Sequence, residues 1–334
     1  MVFFNVFLRT LGFFSAIIFI VLIAITTSSF IPDSNGQFKF IDGNENSNNI
    51  IAIINLKGPI IGNSNEILET RVYQTISPNL VKKIFIKLEQ YKPDILIFRI
   101  NSPGGTVSAS SDLEDIINKY KQENKVKIYF YTDEILTSGG YWVATSADKI
   151  YAAYGSVIGS IGVSGPNWYY YNTPTYISSG AFGNSIETKK QIEIFSQTAG
   201  DSKDLFNPYR KPEKNEILHL EKIVEDIYED FVNLVSKSRK IEINEIKENI
   251  KAYIYSSKQA KSNYLIDDII TFDDLIIKLI KENNYLDYKI IENNKIDISI
   301  LNLISNYLNI NNKIICKEYN SSFTSVLNTY TISC

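Results

Sequence analysis

Residues 94–124, DILIFRINSPGGTVSASSDLEDIINKYKQEN, read as a strand, a glycine turn and a helix in one continuous run. Asp94–Ile100 is a short apolar run, the pattern of a strand buried on both faces. Asn101-Ser102-Pro103-Gly104-Gly105 carries the turn residues. From Thr106 to Asn124 the apolar positions Leu113, Ile116, Ile117 and Tyr120 fall on one helical face. A strand feeding a helix through a short turn is half of a crossover unit, and crossovers are what parallel neighbours require.

The same alternation extends outward. Ile50–Leu56 (IIAIINL) has a buried-strand pattern, and Pro78–Tyr91 is an amphipathic helix with Leu80, Val81, Ile84 and Leu88 inward. Val126–Tyr131 (VKIYFY) is a strand, a helix runs from near Ser138 to Ala147, and Lys149–Ala153 (KIYAA) is a further strand. This order predicts a layered, largely parallel α/β domain. Glu213–Lys240 is predicted as one long helix, with Ile217, Leu220, Val224, Ile227, Phe231 and Val235 at helical spacing. Residues 244–283 read as mostly helical and Tyr285–Ile291 as a last strand. The tail, 292–334, is weakly patterned apart from an apolar helical stretch near Ile296–Leu308, and suggests no role.

At 334 residues, 44% hydrophobic and 21% charged, the chain has the composition of a globular protein with a core. Its formal net charge is −3, from 34 basic and 37 acidic residues. There is no basic excess for a phosphate backbone, so nucleic acid is not an expected partner. The two cysteines, Cys316 and Cys334, lie in the tail and form either one bridge or two free thiols. A lone histidine, His219, excludes a metal site of several histidines and leaves one candidate for a Ser-His-Asp triad. It sits deep in the long helical segment with no acidic motif around it, the setting of a helix-surface histidine.

Leu11–Ile31 (LGFFSAIIFIVLIAITTSSFI) carries no charge. At about 1.5 Å per residue such a run spans a hydrocarbon core of roughly 30 Å. The apolar run is longer than a signal-peptide core and no clear small-x-small site follows it, which favours a retained anchor over a cleaved signal. Arg9 on one side and Lys39 on the other place the N-terminus inside and the bulk of the chain outside. The chain is thus expected to comprise an anchor (1–31), a flexible tether rich in Asn, Gly, Asp and Ser (32–49), a main domain (50–291) and the tail (292–334).

Two glycine turns follow strands in the main domain: Ser102–Gly105, and Thr137-Ser138-Gly139-Gly140. Parallel α/β sheets place their sites at such turns, and paired glycines let backbone N–H groups approach a ligand. Two readings of Ser138 stand. It is an ordinary helix N-cap, or it is a nucleophile in the positive field of free helix N–H groups. A nucleophilic serine needs a base, and with His219 set aside the base is a lysine, which must be able to lose its proton. Lys203, in the turn-rich segment Gly200-Asp201-Ser202-Lys203-Asp204, is the candidate by context, though composition alone does not select it.

INSPGG (Ile100–Gly105), SGGYWVATSADKIYA (Ser138–Ala152), GSVIGSIGV (Gly155–Val163), GDSKDLFNPYR (Gly200–Arg210) and SSKQAKSNYLIDDI (Ser256–Ile269) together resemble signal peptide peptidase A, or protease IV, over about residues 50–290. The resemblance implies a Clp-protease/crotonase-like layered α/β fold behind one N-terminal transmembrane helix, and a Ser-Lys dyad without cofactor or metal. It implies Ser138 as nucleophile, Lys203 as base, Ser160 orienting the lysine amine, and the Gly105 and Gly139 N–H groups as the oxyanion hole. It further implies signal peptides or other apolar peptides as substrates, and a homo-oligomeric ring whose neighbouring subunits share each site. Three departures accompany it. The gap from Ser138 to Lys203 is long, with Ser178–Gln197 as the extra residues and Lys189 and Lys190 as rival bases. Asn263 and Tyr264 stand where a glycine is expected before Leu265-Ile266-Asp267. The tail has no counterpart. The competing functions are a catalytically silent peptide-binding scaffold and a crotonase-like acyl-CoA enzyme.

Overall fold

The computed structural model describes residues 7, 10–16, 18–19, 38–62, 75–170, 176–180, 183–187 and 197–293. It divides into two compact units, one running through Ile161 and resuming at Phe231, the other Gly162–Asp230. Among the described residues no helix is long and apolar enough to cross a membrane. Part of Leu11–Ile31, both rival lysines Lys189 and Lys190, both cysteines and the tail from 294 lie outside the described residues.

The first unit is built on a seven-stranded sheet. Its strands are β1 (Phe38–Gly43), β2 (Ile50–Lys57), β3 (Ile95–Asn101), β4 (Lys127–Thr132), β6 (Lys149–Ala152), β11 (Asp268–Ile269) and β12 (Lys289–Asn293), in the order β1-β12-β2-β3-β4-β6-β11. All neighbours pair parallel except β1, which runs antiparallel to β12. A second, smaller sheet joins β5 (Ile135–Thr137), β7 (Val157–Gly159) and β10 (Ile254–Ser256), with β7 between the other two, and the second unit holds an antiparallel pair, β8 (Tyr176–Gly180) and β9 (Gly183–Glu187).

Both faces of the large sheet are covered, which is why β2 and β3 are apolar at nearly every position rather than at alternate ones. On one face lie helices α1 (Pro78–Leu88) and α2 (Val107–Asn124). Phe85 of α1 stacks on Tyr120 of α2, with ring centroids 4.0 Å apart, and meets Phe98 of β3 edge-on at 6.2 Å. On the other face, Leu275 and Leu279 of the C-terminal helix Phe272–Glu282 pack with Ile51, Ile97, Tyr129 and Tyr151. The helices begin where side chains supply the missing acceptors: Ser77 Oγ accepts from Leu80 N–H, and Thr106 Oγ1 from Ala109 N–H.

A repeated device fixes the strand starts. Asp94, Asp148 and Asp267 each directly precede or adjoin the start of one strand and pair twice with a residue of the neighbouring strand. Their carboxylates accept the N–H of Ile50, Ile128 and Ile150 at 2.8–3.0 Å. Their own N–H groups donate to the carbonyls of the same three residues at 2.7–3.0 Å. The register is thereby set at the amino edge of the sheet, and the loops at the opposite edge are left to build the site.

The structure departs from the sequence reading in three places. Phe38–Gly43, within the expected tether, forms β1 because β12 offers a free edge to it. The last strand begins at Lys289 and not Tyr285, since pairing starts only where Lys289 meets Ile50. Residues 244–283 are mostly helical, as expected, but two short strands interrupt the helices. Ile254–Ser256 is drawn into the small sheet by β7, and Asp268–Ile269 into the large one by β6. Leu279 is fully buried in the sheet–helix core. Its replacement by alanine is expected to cost about 2–5 kcal/mol, read as a lower urea midpoint with an unchanged slope.

Candidate active site

The carboxyl ends of the strands are joined by one backbone ladder. Ile60 bridges both Ile76 and Gly105, and Ser102 bridges Leu136. Leu136 then pairs with Ile158, and Ile158 with Tyr255. Ser138 follows the last paired residue of β5, and its N–H donates to Gly159 O at 2.9 Å. Ser160 follows the last residue of β7, and its N–H donates to Tyr253 O at 2.8 Å. The two serines therefore stand in matching positions after adjacent parallel strands. Both have left-handed backbones, with φ of 51° and 54°.

Ser138 is not an N-cap. The short helix α3 (Gly139–Ala144) begins after it, but its φ of 51° and ψ of −126° are not a capping conformation. Its hydroxyl makes no capping bond. A non-glycine residue in this region carries about 1–3 kcal/mol of strain. The strain is held in place by the bond to Gly159 and by Trp142 N–H donating to Ser138 O at 2.9 Å. Tyr141, fully buried, ties α3 to the C-terminal part of the unit by donating to Leu265 O at 2.7 Å. Burial also pushes the Tyr141 phenol above its ordinary pKa.

The glycines around Ser138 are required by close approach. A Cβ on Gly104, which has φ of 103°, would stand 2.7 Å from Ser138 Cβ and 2.9 Å from Gly139 N. A Cβ on Gly139 would meet Ser110 Oγ at 2.3 Å and Gly105 N at 3.1 Å. The Gly105 and Gly139 N–H groups thus lie close together beside Ser138. Neither has a hydrogen-bond partner among the described residues. Two neighbouring unpaired donors beside a hydroxyl on a sharp strand-to-helix turn can stabilise the oxyanion formed when that hydroxyl attacks a carbonyl.

Asn101 and Ser110 escaped the sequence reading as individual contributors. The Asn101 side-chain carbonyl accepts the Thr132 hydroxyl at 2.9 Å, Asp133 N–H at 3.1 Å and Glu134 N–H at 2.9 Å. It turns the chain from β4 into β5 and so aims the strand that leads into Ser138. Arg99 clamps the same loop, with Nε and Nη2 donating to the two Asp133 carboxylate oxygens at 2.7 and 2.9 Å. The signal available was an Asn closing a strand ahead of Ser-Pro, a residue suited to bonding nearby backbone.

Lys203 belongs to the other unit. It is exposed, in the turn after Gly200, with its N–H donating to Gly200 O at 3.2 Å. Next to it, Asp204 takes two bonds from Arg210, from Nε and from Nη2, both 2.7 Å. Arg210 also donates to both oxygens of Glu216, which is only 4% exposed. Bonding to Arg210 holds both carboxyls down at about 2, so this cluster is ionised throughout the neutral range. His219 lies exposed on the helix Lys214–Arg239.

A strained serine beside two unpaired amides is an arrangement suited to acyl transfer. Residues 120–285 match peptidase family S49, a span that contains Ser138, Ser160 and Lys203 but not the INSPGG turn. The chain is 30% identical over 197 residues to an Enterococcus faecium protein named for signal peptide peptidase SppA, covering 59% of this chain and 53% of the relative. It is 32% identical over 193 residues to a protein of Methanocaldococcus jannaschii named as a protease, covering 58% and 57%. The chain thus spans little more than half the length of these relatives. Among solved structures, ClpP1 from Listeria monocytogenes superposes with a TM-score of 0.41 at 16% identity, covering 66% of this chain and 92% of that one. These matches support a place for the chain in the signal peptide peptidase A family, within peptidase family S49.

If Ser138 holds its conformation against strain, glycine there should stabilise the fold and alanine should not. Ser138→Gly is expected to raise unfolding stability by about 1 kcal/mol, measured by urea titration beside Ser138→Ala, which keeps the strain and gains nothing.

Proposed function

We propose that the chain is a membrane-anchored serine endopeptidase that hydrolyses extended apolar peptides, cleaved signal peptides among them, on a Clp-protease/crotonase-like scaffold. The observation that carries this reading is the Ser138 turn, with its left-handed backbone and the unpaired Gly105 and Gly139 amides beside it. In the proposed reaction neutral Lys203 takes the Ser138 proton as Oγ attacks the scissile carbonyl. The two amides hold the resulting oxyanion. The lysine ammonium then protonates the leaving amine; water, giving up a proton to the lysine, attacks the acyl-enzyme, and the lysine returns that proton to Ser138 Oγ as the acid product leaves. Ser160, at the position matching Ser138 on the adjacent strand, is the proposed hydroxyl that orients the lysine amine.

Substrate class follows from the relatives' names and from the Leu11–Ile31 stretch, the proposed single-pass anchor, with the catalytic part on the outer side. A lysine works as a base only when desolvated or placed near other cations, and Lys203 is exposed in the single chain. That contrast supports a homo-oligomeric ring in which a neighbouring subunit completes each site.

The test is hydrolysis of a fluorogenic apolar tripeptide amide by the full chain in detergent. Wild type is expected to turn over, with a rate that rises from neutral to alkaline pH. Ser138→Ala and Lys203→Ala should each lose at least about a thousandfold in kcat. Equal turnover in Ser138→Ala would overturn the nucleophile. An active wild type with an unaffected Lys203→Ala would overturn the base. A folded, assembled wild type without turnover would favour a silent peptide-binding scaffold.

A further inference from the structure

Lys203 is followed directly by a carboxylate, Asp204. A lysine on a flexible four-carbon stem pairs readily with a carboxylate so close, and such a pair favours the protonated amine. The proposed base therefore has a built-in competitor for the substrate serine. No such pair forms: Lys203 has no ion pair with any described residue. Asp204 is instead turned to Arg210, whose Nε and Nη2 occupy its two oxygens at 2.7 Å each, while Asn207 Nδ2 adds a bond at 3.3 Å.

Arg210 is itself fixed from behind. It donates to Glu216 Oε1 at 2.7 Å and Oε2 at 2.8 Å, and its guanidinium lies 5.2 Å from the centre of the Trp168 ring. The Trp168 indole N–H donates to Asn207 O at 3.1 Å, and Glu213 N–H to Glu216 Oε2 at 2.8 Å. A buried carboxylate and an aromatic face hold the guanidinium so that its fork faces Asp204. The other charged side chains from 197 to 216 are Asp201, Lys211, Glu213 and Lys214. Lys211 is directed to the Tyr170 ring, 5.8 Å from its centre.

We propose that Arg210 is a positioning residue that keeps Asp204 off the Lys203 amine, so that the lysine stays available to Ser138. The inference rests on the reading of Lys203 as base. It makes Arg210 more than a brace for the turn, and that difference can be measured. Arg210→Gln frees Asp204 to pair with Lys203, and kcat should fall about tenfold or more while KM changes by less than about twofold. Removing the competing charge as well, in Arg210→Gln/Asp204→Asn, should restore most of the lost kcat.

A brace alone predicts the opposite, since the double variant would have lost both halves of the clamp. The assay is hydrolysis of the same tripeptide amide by the full chain in detergent, with thermal unfolding recorded for each variant. If Arg210→Gln does not fold, the comparison is made between Arg210→Lys and Arg210→Lys/Asp204→Asn, where a single ammonium replaces the fork. Suppression by Asp204→Asn supports the proposal. An unchanged kcat in Arg210→Gln, or a double variant no faster than the single, overturns it. Lys203→Ala separates the two levels: if it is inactive and suppression fails, only the role of Arg210 falls. If it is as active as wild type, the base assignment falls and the inference with it.

Discussion

The hydrogen bond from Ser138 N–H to Gly159 O is the constraint on which the site depends. It joins the end of β5 to the end of β7 and holds Ser138 in a backbone region that a side-chain-bearing residue avoids. Left to local preference, a serine at this position would cap α3 with its hydroxyl. The ladder denies it that conformation, and the hydroxyl is left without a capping bond. The close approaches of Gly104 to Ser138 and of Gly139 to Ser110 follow from the same geometry. A Cβ at either position would push the turn off the ladder.

What anchors the ladder lies further back. Asp94, Asp148 and Asp267 fix the register at the amino edge of the sheet, and Asn101 turns the chain from β4 into β5 at the carboxyl edge. Polar groups thus set the two edges, and the apolar faces between them supply the burial that makes the sheet stable. Strain at one residue is tolerable because so many independent bonds determine where its neighbours are.

Much of this was legible in the sequence. The apolar runs of β2, β3, β4 and β6 and the spacing in α1 and α2 specified a parallel, two-sided sheet, because burial on both faces leaves a continuous apolar record. The two glycine turns were legible as turn residues that follow strands, while the role expected of Ser160 came only from the family resemblance. Local preference alone left Ser138 divided between cap and nucleophile, since the backbone angle that rules out the cap is imposed by β7, later in the chain. The short strands at 254–256 and 268–269 were hidden for the same reason: too short to carry a period, they exist only through their partners. The grip of Arg210 on Asp204 was likewise invisible, because an Arg six residues from an Asp has no fixed geometry until the turn is formed.

The account stands on Ser138 being an activated nucleophile, and covalent capture tests that most directly. The full chain in detergent would be treated with a fluorophosphonate and the adduct located by peptide mass mapping. The account predicts one phosphonylated residue, Ser138, at a rate that collapses in Lys203→Ala. Modification at another serine, or a folded and assembled protein that takes up no label, would contradict it.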